Sequence, residues 1–362
     1  MNLEVERLYW LGFSVFPGIG PVKFGRLLNY FGTARDAWEA FLPDLKKSGI
    51  GGSTANLLDK FRRGFSLEGY EERVREWGCW YLISEDEGYP RLLKQIRNAP
   101  FVLYGKGDVE VLREDRFVAV VGTRKITQYG MQVTQLVAKE LVEAGCVVVS
   151  GLAVGVDSVA HATTVDGGGR TVAVLGSGVD VCSPAGNIGL YREIIERGGA
   201  IVSEFVMGKE PMKGAFPSRN RIIAGLSMGV VVTEGAEDSG ALITAKDAFE
   251  NKRQVFAIPG PITSVYSKGP NSLFGKGAIV VNNPKDILRE LGFGAGGKGI
   301  KVQKVEVTSE ERVILDLLQE PKHVDVLIKQ TRIQAAKMGM LLSLMEMKGL
   351  VRNMGGGIFA GI

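Results

Sequence analysis

Between about Arg116 and Asn283 the chain alternates short apolar, β-branched runs with segments of helical periodicity, and no other feature restricts its fold as strongly. The runs are Phe117-Val118-Ala119-Val120-Val121, Cys146-Val147-Val148-Val149, Thr171-Val172-Ala173-Val174-Leu175, Ala200-Ile201-Val202, Gly229-Val230-Val231-Val232 and Gln254-Val255-Phe256-Ala257. A strand with one wet face alternates apolar and polar residues, whereas these runs are apolar throughout and must be covered on both faces. Separated by helices, they predict an α/β fold: a Rossmann-like, doubly wound, mostly parallel sheet whose ligands gather beyond the carboxyl ends of the strands.

The flanks read differently. From Leu8 to about Phe65 the pattern is helical, and Pro17-Gly18-Ile19-Gly20-Pro21 and Ser48-Gly49-Ile50-Gly51-Gly52 each precede apolar residues at helical spacing. A repeated Gly-Ile-Gly turn between helices predicts an N-terminal helical domain of helix-hairpin-helix (SAM-like) type over residues 1–85. Residues 86–291 form the Rossmann-like domain with its lead-in segment, and residues 292–305 a glycine-rich linker. In the tail, 306–362, helices are expected over Glu310–Leu318, Val324–Lys329 and Ile333–Lys348, followed by a small hairpin, which suggests a winged-helix-like domain. Its third helix carries Met338, Met340, Leu341, Leu342, Leu344 and Met345, which is more apolar than a major-groove reader needs and favours protein contact or scaffolding.

Composition narrows the function classes. No apolar run approaches the ~20 residues of a membrane span, and the start lacks a basic segment followed by an apolar one, so a cytoplasmic protein is expected. Cys79, Cys146 and Cys182 are odd in number and widely spaced, which fits reduced thiols. With His161 and His323 the only histidines and no ligand spacing, neither a zinc site nor another cofactor is expected. A net charge of +4 is compatible with a polyanionic partner, although local clustering decides binding.

The strand ends carry the candidate site. Gly122-Thr123-Arg124-Lys125 follows the first run, so the backbone turns sharply and Arg124 projects into the crevice; the GxGxxG spacing of a dinucleotide site is missing. Gly151-Leu152-Ala153-Val154-Gly155-Val156-Asp157 follows the second, with His161 one helical turn after Asp157, a pair read as a structural hydrogen bond in preference to a catalytic one. Gly176-Ser177-Gly178-Val179-Asp180 closes the third run. Thr233 to Ala245 closes a later one, with Ser239 as a helix N-cap and Gly240 beside it offering backbone amides to a phosphate.

Phe216-Pro217-Ser218-Arg219-Asn220-Arg221 adds an aromatic ring, a rigid proline, an amide and two guanidinium groups ahead of an apolar helix, with Lys213 three residues upstream. A ring stacks on a base and arginines grip phosphates, so the mixture suits a nucleotide strand.

In order, VAVVGTRKITQYG, VVVSGLAVGVDSVAHATT, TVAVLGSGVDV, SEF, FPSRNRIIAGLSMGVVVTEGAEDSGALITA and VFAIPG resemble the DprA/Smf DNA-processing family across nearly the whole central domain. That resemblance implies a single-stranded DNA binder that shields incoming DNA in natural transformation and loads RecA on it, with single-strand binding protein as an indirect partner. It implies no catalytic activity. Gly122, Thr123 and Arg124 stand in the family's glycine-Ser/Thr-arginine element, and Lys213, Phe216, Arg219 and Asn220 in its lysine-then-FPxRN element; family members also form homodimers, which here would involve Asn271 to Val281. The chain departs from the family pattern at Cys182-Ser183-Pro184, where a tyrosine-proline is usual, and at Thr123, where serine is commoner. The alternative is a nucleotide-processing enzyme akin to phosphoribohydrolases, but that chemistry needs a carboxylate just after a PGGxGT loop. Here Ser239-Gly240-Ala241-Leu242-Ile243-Thr244-Ala245-Lys246 offers no acid before Asp247.

Overall fold

Adjacent residues of each central strand point to opposite faces, and both faces are filled, which is why the strands read as continuous apolar runs. The computed structural model describes residues 3–212, 214–293, 308–318, 320–348 and 350–361. Its large sheet has nine strands: β1 (Trp80–Ile83), β2 (Val102–Gly107), β3 (Phe117–Val121), β4 (Val147–Ser150), β5 (Thr171–Val174), β6 (Ala200–Ser203), β7 (Gly229–Val232), β8 (Gln254–Ala257) and β9 (Ile279–Val280). Val118 and Val120 pack with Val137, Leu141, Val156 and Ala160 of two helices on one face. Ala119 and Val121 pack on the other with Ile222 and Ile223 of helix Ala215–Leu226 and with Ala241 and Ala245.

The strand order is β1-β2-β6-β5-β4-β3-β7-β8-β9. From β3 the chain winds outward through β4, β5 and β6, then returns along helix Ala215–Leu226 to pair β7 on the opposite side of β3. The winding direction reverses between β3 and β7, and in open α/β sheets that reversal opens a crevice at the carboxyl ends of the two strands.

The lead-in segment holds more order than its sequence pattern indicates, and the large sheet begins earlier than residue 86, because β1 lies within the stretch 1–85 expected to be helical. β1 and β2 form an antiparallel pair, and β2 adds antiparallel to β6. The outer edge of β1 is closed by side chains: Arg7 donates to the Tyr81 carbonyl at 3.0 Å, Asp86 accepts from the Ile83 amide at 2.9 Å, and Arg7 and Asp86 pair with each other. An edge so capped does not recruit another strand.

The two N-terminal hairpins are formed as expected, between helices Leu3–Val15 and Pro21–Phe31 and between Leu42–Lys47 and Gly52–Arg62. They brace one another. Lys23 donates to the Gly18 carbonyl and to Thr54 of the second unit at 3.1 and 2.8 Å, and Arg26 donates to the Gly49 carbonyl at 2.8 Å. Trp10, Phe13, Phe24, Leu27, Trp38 and Leu58 continue into the same apolar cluster as Tyr104, Leu175 and Ile201, and Phe24 stacks on Phe101 at 4.1 Å between ring centroids.

Residues 301–362 form a separate compact unit. Helices Ser309–Leu317, Val324–Thr331 and Ala335–Met347 pack with an antiparallel sheet in which Ile358–Gly361 lies between Lys322–His323 and Val351–Gly355, a winged-helix arrangement. Its first helix opens with a reciprocal capping box between Thr308 and Glu311. Met338, Leu341, Leu342 and Met345 fill the unit's core, so most of the apolar character of the third helix serves packing, while Met340 and Leu344 stay exposed one turn apart. The expected glycine-rich linker lies, from residue 294 on, outside the described residues. Among the described residues no helix is long and apolar enough to cross a membrane.

Candidate nucleic-acid groove

An open groove of about 560 Å³ occupies the crevice between the ends of β3 and β7. The turn after β3 supplies Gly122, Thr123 and Arg124; helix Ala215–Leu226 supplies Phe216, Arg219 and Asn220; and Ser239 and Gly240 come from the start of helix Gly240–Glu250. The fold thus brings together residues more than a hundred positions apart in the sequence. Lys213 lies outside the described residues.

The turn that carries Arg124 is held from below. Thr123 donates its amide to the Glu234 carbonyl at 2.7 Å and accepts the Val156 amide at 3.1 Å. The buried Glu234 carboxylate accepts from the Thr127 amide at 2.9 Å and from the Thr127 hydroxyl at 2.6 Å, at the N-cap of helix Gln128–Glu143. Gly155 completes the contact: its φ of +86° suits only glycine, and a Cβ there would strike the Thr123 carbonyl.

Arg124 is exposed, and its guanidinium sits over the Phe216 ring, 5.1 Å from the centroid. The half-exposed ring also lies against Gly176, where a Cβ would come within 3.2 Å of it. A cation and an aromatic ring therefore share one wall of the groove. On the other wall the Ser239 hydroxyl accepts from the Ala241 amide at 3.3 Å, the expected N-cap, and Asn220 donates to the Gly240 carbonyl at 3.2 Å, joining the two helices.

Neither arginine of the FPSRNR stretch is free to grip a phosphate: Arg219 lines the groove from a buried position, and Arg221 is not among the lining residues. The helix was expected to follow the stretch, but it begins at Ala215 and includes it, so helical periodicity sets which side chains look outward. Phe216, Asn220 and Ile223 share the groove side. Arg219 is only 4% exposed and donates to the carbonyls of Gly151, at 2.6 Å, and of Val174. Arg221 pairs with Glu204, just beyond the end of β6. Burial pushes the Arg219 guanidinium down to about 10, opposed by the attraction of Asp157.

The hydrogen bond expected between Asp157 and His161 is not made: both side chains are buried, and each bonds elsewhere. The buried Asp157 carboxylate accepts from the Gly151 amide at 3.1 Å, and burial raises its pKa against the pull of Arg219. The Thr171 hydroxyl donates to the Val148 carbonyl at 2.7 Å, so it accepts from His161 Nδ1, 2.7 Å away. Burial, helped by the charge of Arg219, lowers the His161 pKa to about 3 and keeps the ring neutral.

Sequence reasoning passed over Lys125, which lines the groove next to Arg124, and Tyr266, which arrives from the short turn Val265–Ser267 after β8. Lys125 had a signal in its position beside Arg124, whereas Tyr266 belongs to no strand end or motif. Asp247, the first acid beyond Ser239, is not among the residues lining the groove.

Comparison with known proteins gives this site its context. Residues 80–292 match the family model described as DNA recombination-mediator protein A, residues 302–357 the DprA winged helix domain, and residues 4–59 the DprA-like N-terminal HHH domain. The chain belongs to the DNA recombination-mediator protein A family. Protein Smf of Synechocystis is 38% identical over 292 residues, covering 79% of this chain and 73% of the relative. DNA processing protein DprA of Bacillus subtilis is 41% identical over 217 residues, covering 60% and 73%. Among solved structures, DNA processing protein A of Streptococcus pneumoniae superposes with a TM-score of 0.67 at 34% identity, covering 79% of this chain and 97% of that one. DNA processing protein A of Helicobacter pylori, described for its single-stranded DNA binding mode, gives a TM-score of 0.54 at 31% identity, covering 59% and 95%. The DprA/Smf resemblance read from the strand-end motifs is thereby confirmed, and the chain is a DNA-processing recombination mediator by family.

Proposed function

We propose that this DprA-family chain binds single-stranded DNA in the groove at the β3/β7 crevice and acts there without catalysis. One observation carries the reading: an exposed guanidinium and a half-exposed aromatic ring stand side by side in an open groove bordered by a capped helix N-terminus. Stacking on Phe216 tolerates any base, and cations at Arg124, Lys125 and Lys213 hold phosphates, so binding has little sequence preference and falls steeply with salt. Gly122 and Thr123 bring the backbone close to the strand, and the amides following Ser239 and Gly240 meet a phosphate. The single-stranded DNA binding mode described for the Helicobacter pylori relative supports this assignment.

On this reading the protein protects incoming DNA in the cytoplasm during natural transformation, works as a homodimer through the Asn271–Val281 region, and loads RecA on strands coated by single-strand binding protein. Fluorescence anisotropy with a labelled oligonucleotide tests the site. Phe216→Ala is expected to weaken binding by about 1–3 kcal/mol, and Arg124→Ala to flatten the salt dependence by about 0.7 in log–log slope for the one phosphate lost. Unchanged affinity in both folded variants refutes the site. The mediator role is tested by whether the protein lets RecA assemble on strands already covered by single-strand binding protein.

A further inference from the structure

We propose that Arg219 is a positioning residue: from within the protein it fixes the helix that presents Phe216 and Asn220, and it touches neither phosphate nor base. The inference rests on the groove reading above and assigns this residue a different task from Arg124.

Two arginines line the same groove in opposite ways. Arg124 is exposed at the rim, whereas Arg219 is 4% exposed and enters the sheet's carboxyl edge beneath it. Its Nη1 donates to the Gly151 carbonyl at 2.6 Å and to that of Val174, so one guanidinium ties the helix to the turn after β4 and to the last residue of β5. The fit is close: a Cβ on Gly151 would collide with the guanidinium. The buried Asp157, whose carboxylate accepts the same Gly151's amide, lies close enough for its charge to attract the guanidinium. A buried guanidinium engaged with two carbonyls gives up both bonds if it turns outward to a phosphate, and leaves those carbonyls without their donor.

Arg219 sits one turn after Phe216 and next to Asn220. Fixing it fixes the height at which the ring leaves the helix and the distance over which Asn220 reaches the Gly240 carbonyl. Preorganisation of this kind strengthens stacking without adding a counterion-releasing contact.

Salt titrations on two probes separate the roles: an oligothymidine of about fifteen nucleotides and an abasic deoxyribose-phosphate strand of equal length. In Arg219→Gln, affinity for oligothymidine should fall about tenfold, part of the stacking contribution, with the salt slope unchanged and abasic-strand affinity retained. An equal loss on both strands with a slope about 0.7 smaller makes Arg219 a phosphate ligand and overturns the proposal, as does unchanged affinity on both. Phe216→Ala run alongside keeps the two readings apart: if it has no effect on oligothymidine binding, the groove assignment fails; if it weakens binding while Arg219→Gln does not, only the positioning role fails. Arginine footprinting of the unaltered chain with phenylglyoxal serves if Arg219→Gln does not fold. Arg124 should react and become protected by oligothymidine, and Arg219 should stay unreactive with and without it. Reaction at Arg219 that the strand suppresses overturns the proposal.

Discussion

Acidification offers a direct reading of the buried network beneath the groove. His161 has a native pKa of about 3 against 6.5 when unperturbed, so between those values the unfolded chain binds a proton that the folded chain refuses. Stability contributed by the neutral ring is therefore fully present above about 6.5 and declines as pH falls. At pH 5 the gap is 6.5 − 5, about 1.5 units, and at ~1.36 kcal/mol per unit the loss is about 2 kcal/mol. Asp157 works in the opposite sense: burial raises its native pKa, so the folded chain takes up that proton more readily and gains stability as pH falls. Arg219 remains charged throughout. Because Asp157 and Arg219 are present in both proteins, comparing the unaltered chain with His161→Gln isolates the histidine. Urea unfolding at pH 7 and pH 5 should show the unaltered chain losing about 2 kcal/mol more than the variant. Losses equal within about 0.5 kcal/mol would mean that the ring is protonated in the folded protein and that its burial has been misread.

The turn carrying Arg124 gives two further tests. Gly155→Ala places a Cβ against the Thr123 carbonyl at a φ of +86°, and is expected to lower stability by about 2 kcal/mol or more and to weaken strand binding, both measurable on one preparation by thermal unfolding and anisotropy. Glu234→Ala removes the acceptor for the Thr127 amide and hydroxyl, with an expected loss of about 2–3 kcal/mol; a melting temperature unchanged from the parent would show that the clamp contributes nothing. In the winged-helix unit, Thr308→Ala breaks the capping box and should cost about 1 kcal/mol, read from that unit's unfolding transition in the full chain.

Central strands, hairpins and tail helices were legible because each rests on a local pattern: an apolar run for β3 or β7, a Gly-Ile-Gly turn for each hairpin, 3.6-residue spacing for Ala335–Met347. β1 and β2 were not, because their identity is tertiary. Leu103 and Tyr104 look like connecting residues until β1 pairs with Leu103 through Leu82 and the sheet edge at β6 pairs with Tyr104 through Ser203, and at Gly105 the Trp80 ring covers the space where a side chain would be. Likewise the groove was legible at Gly122 and Ser239, which stand at strand ends, while Tyr266 enters it from a turn with no strand-end mark.

The arginines show where a motif stops informing. Arg124, Arg219 and Arg221 all stand near glycines or at a helix start, and residue type and spacing gave each the same claim on a phosphate. Their fates diverge through a boundary placed a few residues earlier than the apolar pattern implied: once the helix begins at Ala215, Arg219 turns toward the carbonyls at the ends of β4 and β5, and Arg221 toward Glu204. Only Arg124, on a turn outside the helix, keeps its charge at the rim, over the ring with which it shares the groove wall. The aromatic and cationic letters in the sequence therefore belong to two layers. The outer layer, Arg124 and Phe216, is exposed enough to meet a strand, and the inner one, Arg219 with Asp157, holds the outer layer in register. Substitutions in the outer layer should change salt dependence or stacking at constant stability, and substitutions in the inner layer should change stability and stacking together.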